Sequence, residues 1–361
     1  MYVPVRVYSE ENAVLNHSHE LAVFGRKALI VTGKVSSRKN GSLDDVISAL
    51  KMHGREFTVF DKTEENPCVG TAVMCARQGI EEGADFVIGV GGGSPLDTAK
   101  AAAFLMKHPK NGKEILYQTG DDSHFPLVLV PTTCGTGSEV TQYSVLLREE
   151  LKVKKSILHS VFAGLALIDG RYLKSAPLTI IRNTALDSFC HLVESRINKR
   201  ADSYSRMFVD SGLLLWGKNR SALESGTDDP AVYQSLMDAS AMAGMAIAQT
   251  STTVPHGLSY YLTINMGIPH GKAVGYFIAG YLSAAHESER EYILKKAGFS
   301  SLDDFQEFYL RICGKTEVSR ELLSAASEGM LKNPQKLSPV PFEIDRDVME
   351  KMVFFTSNHI N

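Results

Sequence analysis

The chain is 361 residues long, more than one compact core accommodates, so two domains are expected. Apolar residues make up 44% and charged residues 22%, which excludes a disordered or collagen-like chain. Lysine and arginine number 38 against 41 acids, and a net charge of −3 gives no electrostatic footing for nucleic acid or an anionic membrane surface.

Residues 28–31 read as a first buried strand, followed by a turn and a helix over 42–52. A strand over 57–60, a helix over 68–82, a strand over 86–90, a helix over 95–107 and strands over 127–130 and 166–168 continue the series. Short runs that are apolar without alternation are buried on both faces. They predict a parallel sheet covered by helices, a doubly wound, Rossmann-like α/β domain over residues 1–178. From 179 to 361 the spacing turns helical. Leu186, Phe189, Cys190, Val193 and Ile197 step by three and four, an apolar stripe. Residues 236–248, rich in Ala, Met and Gly, suit close helix packing, while Ser301 with Asp304 predicts a helix cap and Gly314 a stop. A second, all-helical domain is expected, with a cleft between the two as the place for a substrate. No apolar run approaches the ~18–20 residues that cross a bilayer, and the start lacks the form of an export signal. Five cysteines without a Cys-x-x-Cys pair read as reduced thiols of a cytoplasmic protein.

Gly91-Gly92-Gly93-Ser94-Pro95 follows a strand and opens a helix. Glycines let a ligand approach the backbone, Ser94 is a candidate cap with Asp97 three residues on, and the helix N-terminus favours a phosphate. The alternative is a plain strand-to-helix turn. After the strand over 127–130 comes a loop with the hydroxyls of Thr132, Thr133, Thr136 and Ser138, suited to a ribose or a nicotinamide amide, or simply a polar connection. The usual Gly-x-Gly-x-x-Gly is absent after the first strand. That turn, residues 32–39, holds no acid for a ribose 2′-hydroxyl, but it has Lys34, Ser36, Ser37, Arg38 and Lys39. It predicts NADP rather than NAD, the alternative being a solvated loop face.

In the second half Asp187 and His191 are four apart, so they share one helix face, opposite the apolar stripe, with Glu194 beside them as a supporting partner. Pro-His-Gly occurs twice, around His256 and His270. Any one of these histidines is an ordinary core or surface residue; together with the spaced pair they predict a metal site. Three imidazoles and a carboxylate suit Fe²⁺ or Zn²⁺. Such a cation polarises one substrate oxygen as a Lewis acid, and hydride then passes between an alcohol carbon and nicotinamide C4.

The strings Gly91 to Lys100 (GGGSPLDTAK) and Pro131 to Thr141 (PTTCGTGSEVT), the Asp187/His191 pair and the two Pro-His-Gly elements resemble the iron-containing (group III) alcohol dehydrogenase family in order over nearly the whole chain. The resemblance implies an α/β cofactor domain and a helical metal domain, with Asp187, His191, His256 and His270 as ligands. It places Gly92, Gly93 and Ser94 on the pyrophosphate, Thr132, Thr133 and Ser138 near ribose and nicotinamide, and Asp97 and Lys155 as further cofactor contacts. The family's acidic, NAD-selecting position falls on Gly33. Where many members carry a proton-relaying histidine this chain has Tyr260, a weaker base with an ordinary pKa of about 10. The implied activity is a metal-dependent, NAD(P)-linked alcohol dehydrogenase or aldehyde reductase for short primary alcohols or diols, and the implied assembly is a homodimer. A glycerol-dehydrogenase-like polyol enzyme and a dehydroquinate-synthase-like lyase are the alternatives, although no Lys/Arg cluster for an acidic substrate flanks the ligand motifs. A non-catalytic binding protein is the third. Tyr143, Phe162 and Tyr260 are candidates for a small apolar pocket or for core positions.

Overall fold

A computed structural model describes residues 2–360. In chain order β1 (Arg6–Ser9), β2 (Lys27–Gly33), α1 (Ser42–Met52), β3 (Glu56–Thr63), α2 (Val69–Glu81), β4 (Phe86–Gly91), α3 (Gly93–Lys107) and β5 (Leu127–Pro131) build the first part. The hairpin β6 (Val145–Arg148) and β7 (Val153–Ser156) and then β8 (Leu165–Ile168) follow. Six strands form one all-parallel sheet in the order β1-β8-β5-β4-β2-β3.

Its apolar runs are buried because both faces are covered. Leu43, Val46 and Leu50 of α1 pack with Ile30, Ile88 and Val128 on one face. Ala72 and Ala76 of α2 and Leu96 and Phe104 of α3 pack with Leu29, Val87 and Leu129 on the other. Each buried Leu- or Ile-sized side chain contributes about 1.5–3 kcal/mol relative to exposure. From β2 the chain turns outward to β3 and then returns to β4 on the opposite side. The sheet therefore has its switch point between β2 and β4, and the turns after both strands open at the carboxyl ends there, where α/β sheets bind ligands.

The sequence reading begins the sheet at β2 and omits β1 and the β6–β7 hairpin. Both are short and carry charged residues on exposed positions, so neither shows an uninterrupted apolar run. Among the described residues no helix is long and apolar enough to cross a membrane, and all five cysteines are free thiols.

Residues 2–176 and 229–241 cluster as one unit, residues 177–228 and 242–360 as another. The second is helical: α4 (Leu178–Arg196), α5 (Ser203–Lys218), the end of α6 (Pro230–Thr250), α7 (Val254–Met266), α8 (His270–Ala284), α9 (Leu302–Cys313), α10 (Arg320–Leu331), α11 (Pro334–Leu337) and α12 (Arg346–Ile360), besides the helices Arg220–Ser225 and Glu287–Lys296. Ser301 Oγ accepts the Asp304 N–H at 3.1 Å, and Gly314, at φ +71°, ends α9. Trp216 donates its indole N–H to the Ala185 carbonyl at 2.6 Å and packs with Phe189, Phe299 and Phe308.

Candidate functional site

Helix α4 is buried all round from Ala185 to Ser195, so the face bearing Asp187, His191 and Glu194 is an interior one. This corrects the expectation of a polar face set apart from an apolar stripe: α4 runs through the middle of its unit, and neighbours cover both sides. The Pro-His-Gly elements have a structural explanation for two of their three residues. Each proline opens a helix, leaving His256 in the first turn of α7 and His270 at the first position of α8. Each glycine admits a close neighbour. A Cβ on Gly271 would lie 1.8 Å from the Asn183 carbonyl oxygen, and one on Gly257 would lie 2.4 Å from Met330 Cε. What packing leaves unexplained is the histidines.

These close approaches bring Asp187, His256 and His270 together, with ligand-type atoms all within 4.8 Å of one another. Asp187 Oδ1 is 3.4 Å from His256 Nε2 and 3.7 Å from His270 Nε2. Four ligands at about 2.1 Å from a tetrahedral ion stand about 3.4 Å apart, so these separations fit Zn²⁺ or Fe²⁺. Asp187 Oδ1 and His256 Nε2 are buried and have no hydrogen-bond partner among the described residues. A buried polar atom left in that state is costly unless something else satisfies it. The fourth expected ligand, His191, lies outside the 4.8 Å set: its buried ring stacks on that of His256 with centroids 4.4 Å apart.

Glu194 fixes the orientation of His256. Its carboxylate accepts the Thr253 N–H at 2.9 Å, the Thr253 hydroxyl at 3.0 Å and the His256 N–H at 3.3 Å, and is paired with His256 Nδ1. With the Nδ1 proton held there, Nε2 is the nitrogen left to a cation, on the side of Asp187. Ser259, whose hydroxyl donates to the His256 carbonyl at 2.7 Å, stands 3.5 Å from His270 Nδ1. Burial opposes charge at Asp187, but His191, His270 and His256 outweigh it and hold the carboxyl well below its ordinary range. Burial likewise pulls the His256 imidazole down, yet Glu194 and Asp187 push it up to about 9. The centre attracts positive charge. Tyr260 is half-buried, its ring 5.9 Å from that of His270 and near parallel to it.

In the α/β unit, α3 begins two residues earlier than expected. Gly92 is its N-cap, without a side-chain bond, and Ser94 Oγ instead accepts the Asn66 N–H at 3.3 Å. Ser94 is therefore not the cap. Gly91 adopts φ +147°, which favours glycine. Gly92 and Gly93 lie under the second loop: a Cβ on either would stand 3.2 Å from Thr133 Cγ2 or 2.7 Å from Thr136 Cγ2.

Thr132 is buried and Thr133 half-buried. Ser138 is buried, its hydroxyl accepting from Lys100 and donating to Asp97 Oδ1 at 2.7 Å, so both residues are engaged within the protein. In the first turn Ser37 is buried between Thr32 and the Val90 carbonyl and does not face solvent, whereas Lys34, Ser36, Arg38 and Lys39 do. Arg38 is paired with Asp61 at 3.2 Å. Lys155 is exposed beside the Tyr117 ring. Its neighbour Lys154 reaches Asn66 Oδ1 at 2.5 Å and so lies closer to the glycine-rich turn. Strand alternation in β7 turns adjacent lysines to opposite sides, and the Asn66-Pro67 turn is the signal that the sequence reading passed over. Tyr143 and Phe162 belong to the α/β unit and Tyr260 to the helical one.

A family model described as iron-containing alcohol dehydrogenase matches residues 4–170, and the C-terminal model of the Fe-containing alcohol dehydrogenase family matches 181–299. A sulfoacetaldehyde reductase of Bilophila wadsworthia is 30% identical over 254 residues, which span 70% of this chain and 65% of that protein. The crystal structure of an iron-containing alcohol dehydrogenase from Thermotoga maritima is 32% identical, covers 99% of this chain and 98% of its own, and superposes with a TM-score of 0.91. A sulfoacetaldehyde reductase from Bifidobacterium kashiwanohense, solved with NAD⁺, is 26% identical over 99% of this chain and 98% of its own, with a TM-score of 0.87.

Proposed function

The chain belongs to the iron-containing alcohol dehydrogenase family, and on that footing we propose that it interconverts short primary alcohols or diols with their aldehydes, using NADP in preference to NAD. One observation carries the reading: the two buried, hydrogen-bond-free atoms Asp187 Oδ1 and His256 Nε2, 3.4 Å apart, with His270 Nε2 beside them. Asp187, His256 and His270, with His191 as the fourth, would hold Fe²⁺ or Zn²⁺. When bound, that ion supplies Lewis acidity to a substrate oxygen. The chain's own residues do the rest. Asp187 supplies the negative charge, Glu194 sets the tautomer of His256, and Ser259 supports that of His270. Tyr260, stacked by His270, is the group to carry a proton away from the substrate hydroxyl.

The direct test uses protein purified without oxygen, loaded separately with Fe²⁺ and Zn²⁺ and given a panel of short aldehydes with reduced nicotinamide cofactor. Loss of the cofactor's near-ultraviolet absorbance is expected; silence with every metal and aldehyde would remove the dehydrogenase reading. Tyr260→His should raise turnover or move the pH optimum of alcohol oxidation downward, and an unchanged pH–rate profile would exclude Tyr260 from proton transfer.

Support for NADP comes from the basic, acid-free turn after β2. Gly33 there has room for a side chain, since its Cβ would meet nothing nearer than the Thr63 carbonyl oxygen at 3.5 Å. Gly33→Asp would set a carboxylate against the 2′-phosphate, and kcat/KM for NADPH should fall at least about tenfold while that for NADH holds or rises. A wild-type preference for NADH would overturn the assignment. The Arg38–Asp61 pair is what would favour it, because it occupies one of the bases.

A further inference from the structure

The most unusual charged side chain outside the metal centre is Lys100, wholly buried on α3 among Ala99, Ala101, Ala102 and Ala103. Its ammonium donates to the carbonyl oxygens of Ser138 at 2.6 Å, Tyr143 at 2.7 Å and Thr141 at 2.8 Å. The hydroxyls of Ser138 at 2.9 Å and Thr141 at 3.3 Å complete the cage. An ammonium has three protons and no acceptor, so five oxygens around it form a full cation shell. The stretch 138–143 is one 3₁₀ turn (Ser138–Val140) followed by irregular backbone, and irregular backbone in the interior needs partners for its carbonyls. Here one lysine supplies three of them.

Asp97, one turn earlier on the same face of α3, holds the same stretch by its donors. Its carboxylate accepts the Ser138 hydroxyl at 2.7 Å and the Val145 N–H at 2.9 Å, and its carbonyl accepts the Ser144 hydroxyl at 2.7 Å. At the other end of the loop Thr133 and Thr136 rest on Gly92 and Gly93, which leave room for them only because they lack a Cβ. The glycine-rich turn and the second loop are thus one body, fastened by an acid–base pair spaced i, i+3 on the helix that begins at that turn.

We propose that Lys100 is a positioning residue for the nicotinamide cofactor: its buried ammonium sets the shape of residues 138–143, and through them the placement of Thr132, Thr133 and Thr136 against Gly92 and Gly93. The inference rests on the cofactor reading above. Burial pulls Lys100 down to about 8 against the opposing Asp97 and Glu139 carboxylates, and it pushes Glu139 up to about 7 against the pull of Lys100. The three carbonyls of the shell match the three protons of an ammonium, one more than a neutral amine carries. A guanidinium is a planar fork and cannot direct donors to three carbonyls around a point, so arginine should not replace it.

The test compares wild type with Lys100→Met, Lys100→Arg and Ser138→Ala. NADPH affinity is read by fluorescence titration, KM and kcat by steady-state assay, and metal content by elemental analysis. Lys100→Met and Lys100→Arg should weaken NADPH binding at least about tenfold, since three buried carbonyls lose their donor, with kcat at saturating cofactor and metal content little changed. Ser138→Ala, whose hydroxyl makes only bonds within the clasp, should show a smaller rise in KM and decides the matter if the lysine variants do not fold. Unchanged cofactor affinity in folded variants overturns the inference, as does a fall in kcat with KM constant. Wild type that binds neither nicotinamide cofactor is the separate result that removes the cofactor reading itself, and the inference with it.

Discussion

His256→Ala should purify without its metal and lose turnover by on the order of a thousandfold or more, because the Lewis acid accounts for several kcal/mol of barrier lowering. The substitution removes one ligand and leaves Glu194 facing no imidazole, a buried carboxylate whose main counter-charge has gone. Asp187→Ala should have the same outcome, since it takes away the negative charge that three imidazoles surround. Glu194→Gln is the informative contrast. It keeps an acceptor and the approximate shape but alters the hold on His256 Nδ1, so metal affinity should drop by about 10- to 100-fold while some activity survives in excess metal. Elemental analysis and cobalt titration measure both. Equal metal content in wild type and His256→Ala would show that the ion, if any, binds elsewhere.

The second large effect is on folding. Gly271→Ala would set a methyl 1.8 Å from the Asn183 carbonyl oxygen and 3.1 Å from Asp187 Cβ, and backbone cannot yield as a side-chain tip can. Helix α8 would have to leave α4, carrying His270 away from Asp187. A cost of about 3 kcal/mol or more is expected for such overpacking, and for a unit of this size that lowers Tm by roughly 10 °C. Gly257→Ala is the matched control: its nearest contact, at 2.4 Å, is the flexible Met330 Cε, so the loss should be smaller. Calorimetry of the two variants reads the difference directly. Similar melting for both would mean that the tight α4–α8 approach does not govern the site.

The sheet was legible because its strands are continuous apolar runs: each of β2, β3, β4, β5 and β8 contains the stretch that the sequence points to. β1 and the β6–β7 hairpin were not, since four-residue strands with Arg6, Lys154 or Lys155 carry no such run. The cluster of Asp187, His256 and His270 was legible as residue types at a spacing, with Glu194 beside His256, although spacing alone could not show His191 stacked on His256 rather than within the close set. Hydroxyls were the weakest guide. Ser37, in a basic turn, and Ser138, in a glycine-containing loop, look like ligand groups but are consumed by internal bonds, and Ser94 looks like a cap where Gly92 serves. Lys100 left a trace that can be read in retrospect: an ammonium in a helix with alanines on either side has no polar face to occupy, so it must be paired inside.

An anomalous-scattering map, collected at the iron and zinc absorption edges from crystals of protein prepared without oxygen, puts the metal assignment to its most direct trial. A single strong peak is predicted about 2.0–2.2 Å from Asp187 Oδ1, His256 Nε2 and His270 Nε2. No peak at that point, or one held by other residues, would contradict it.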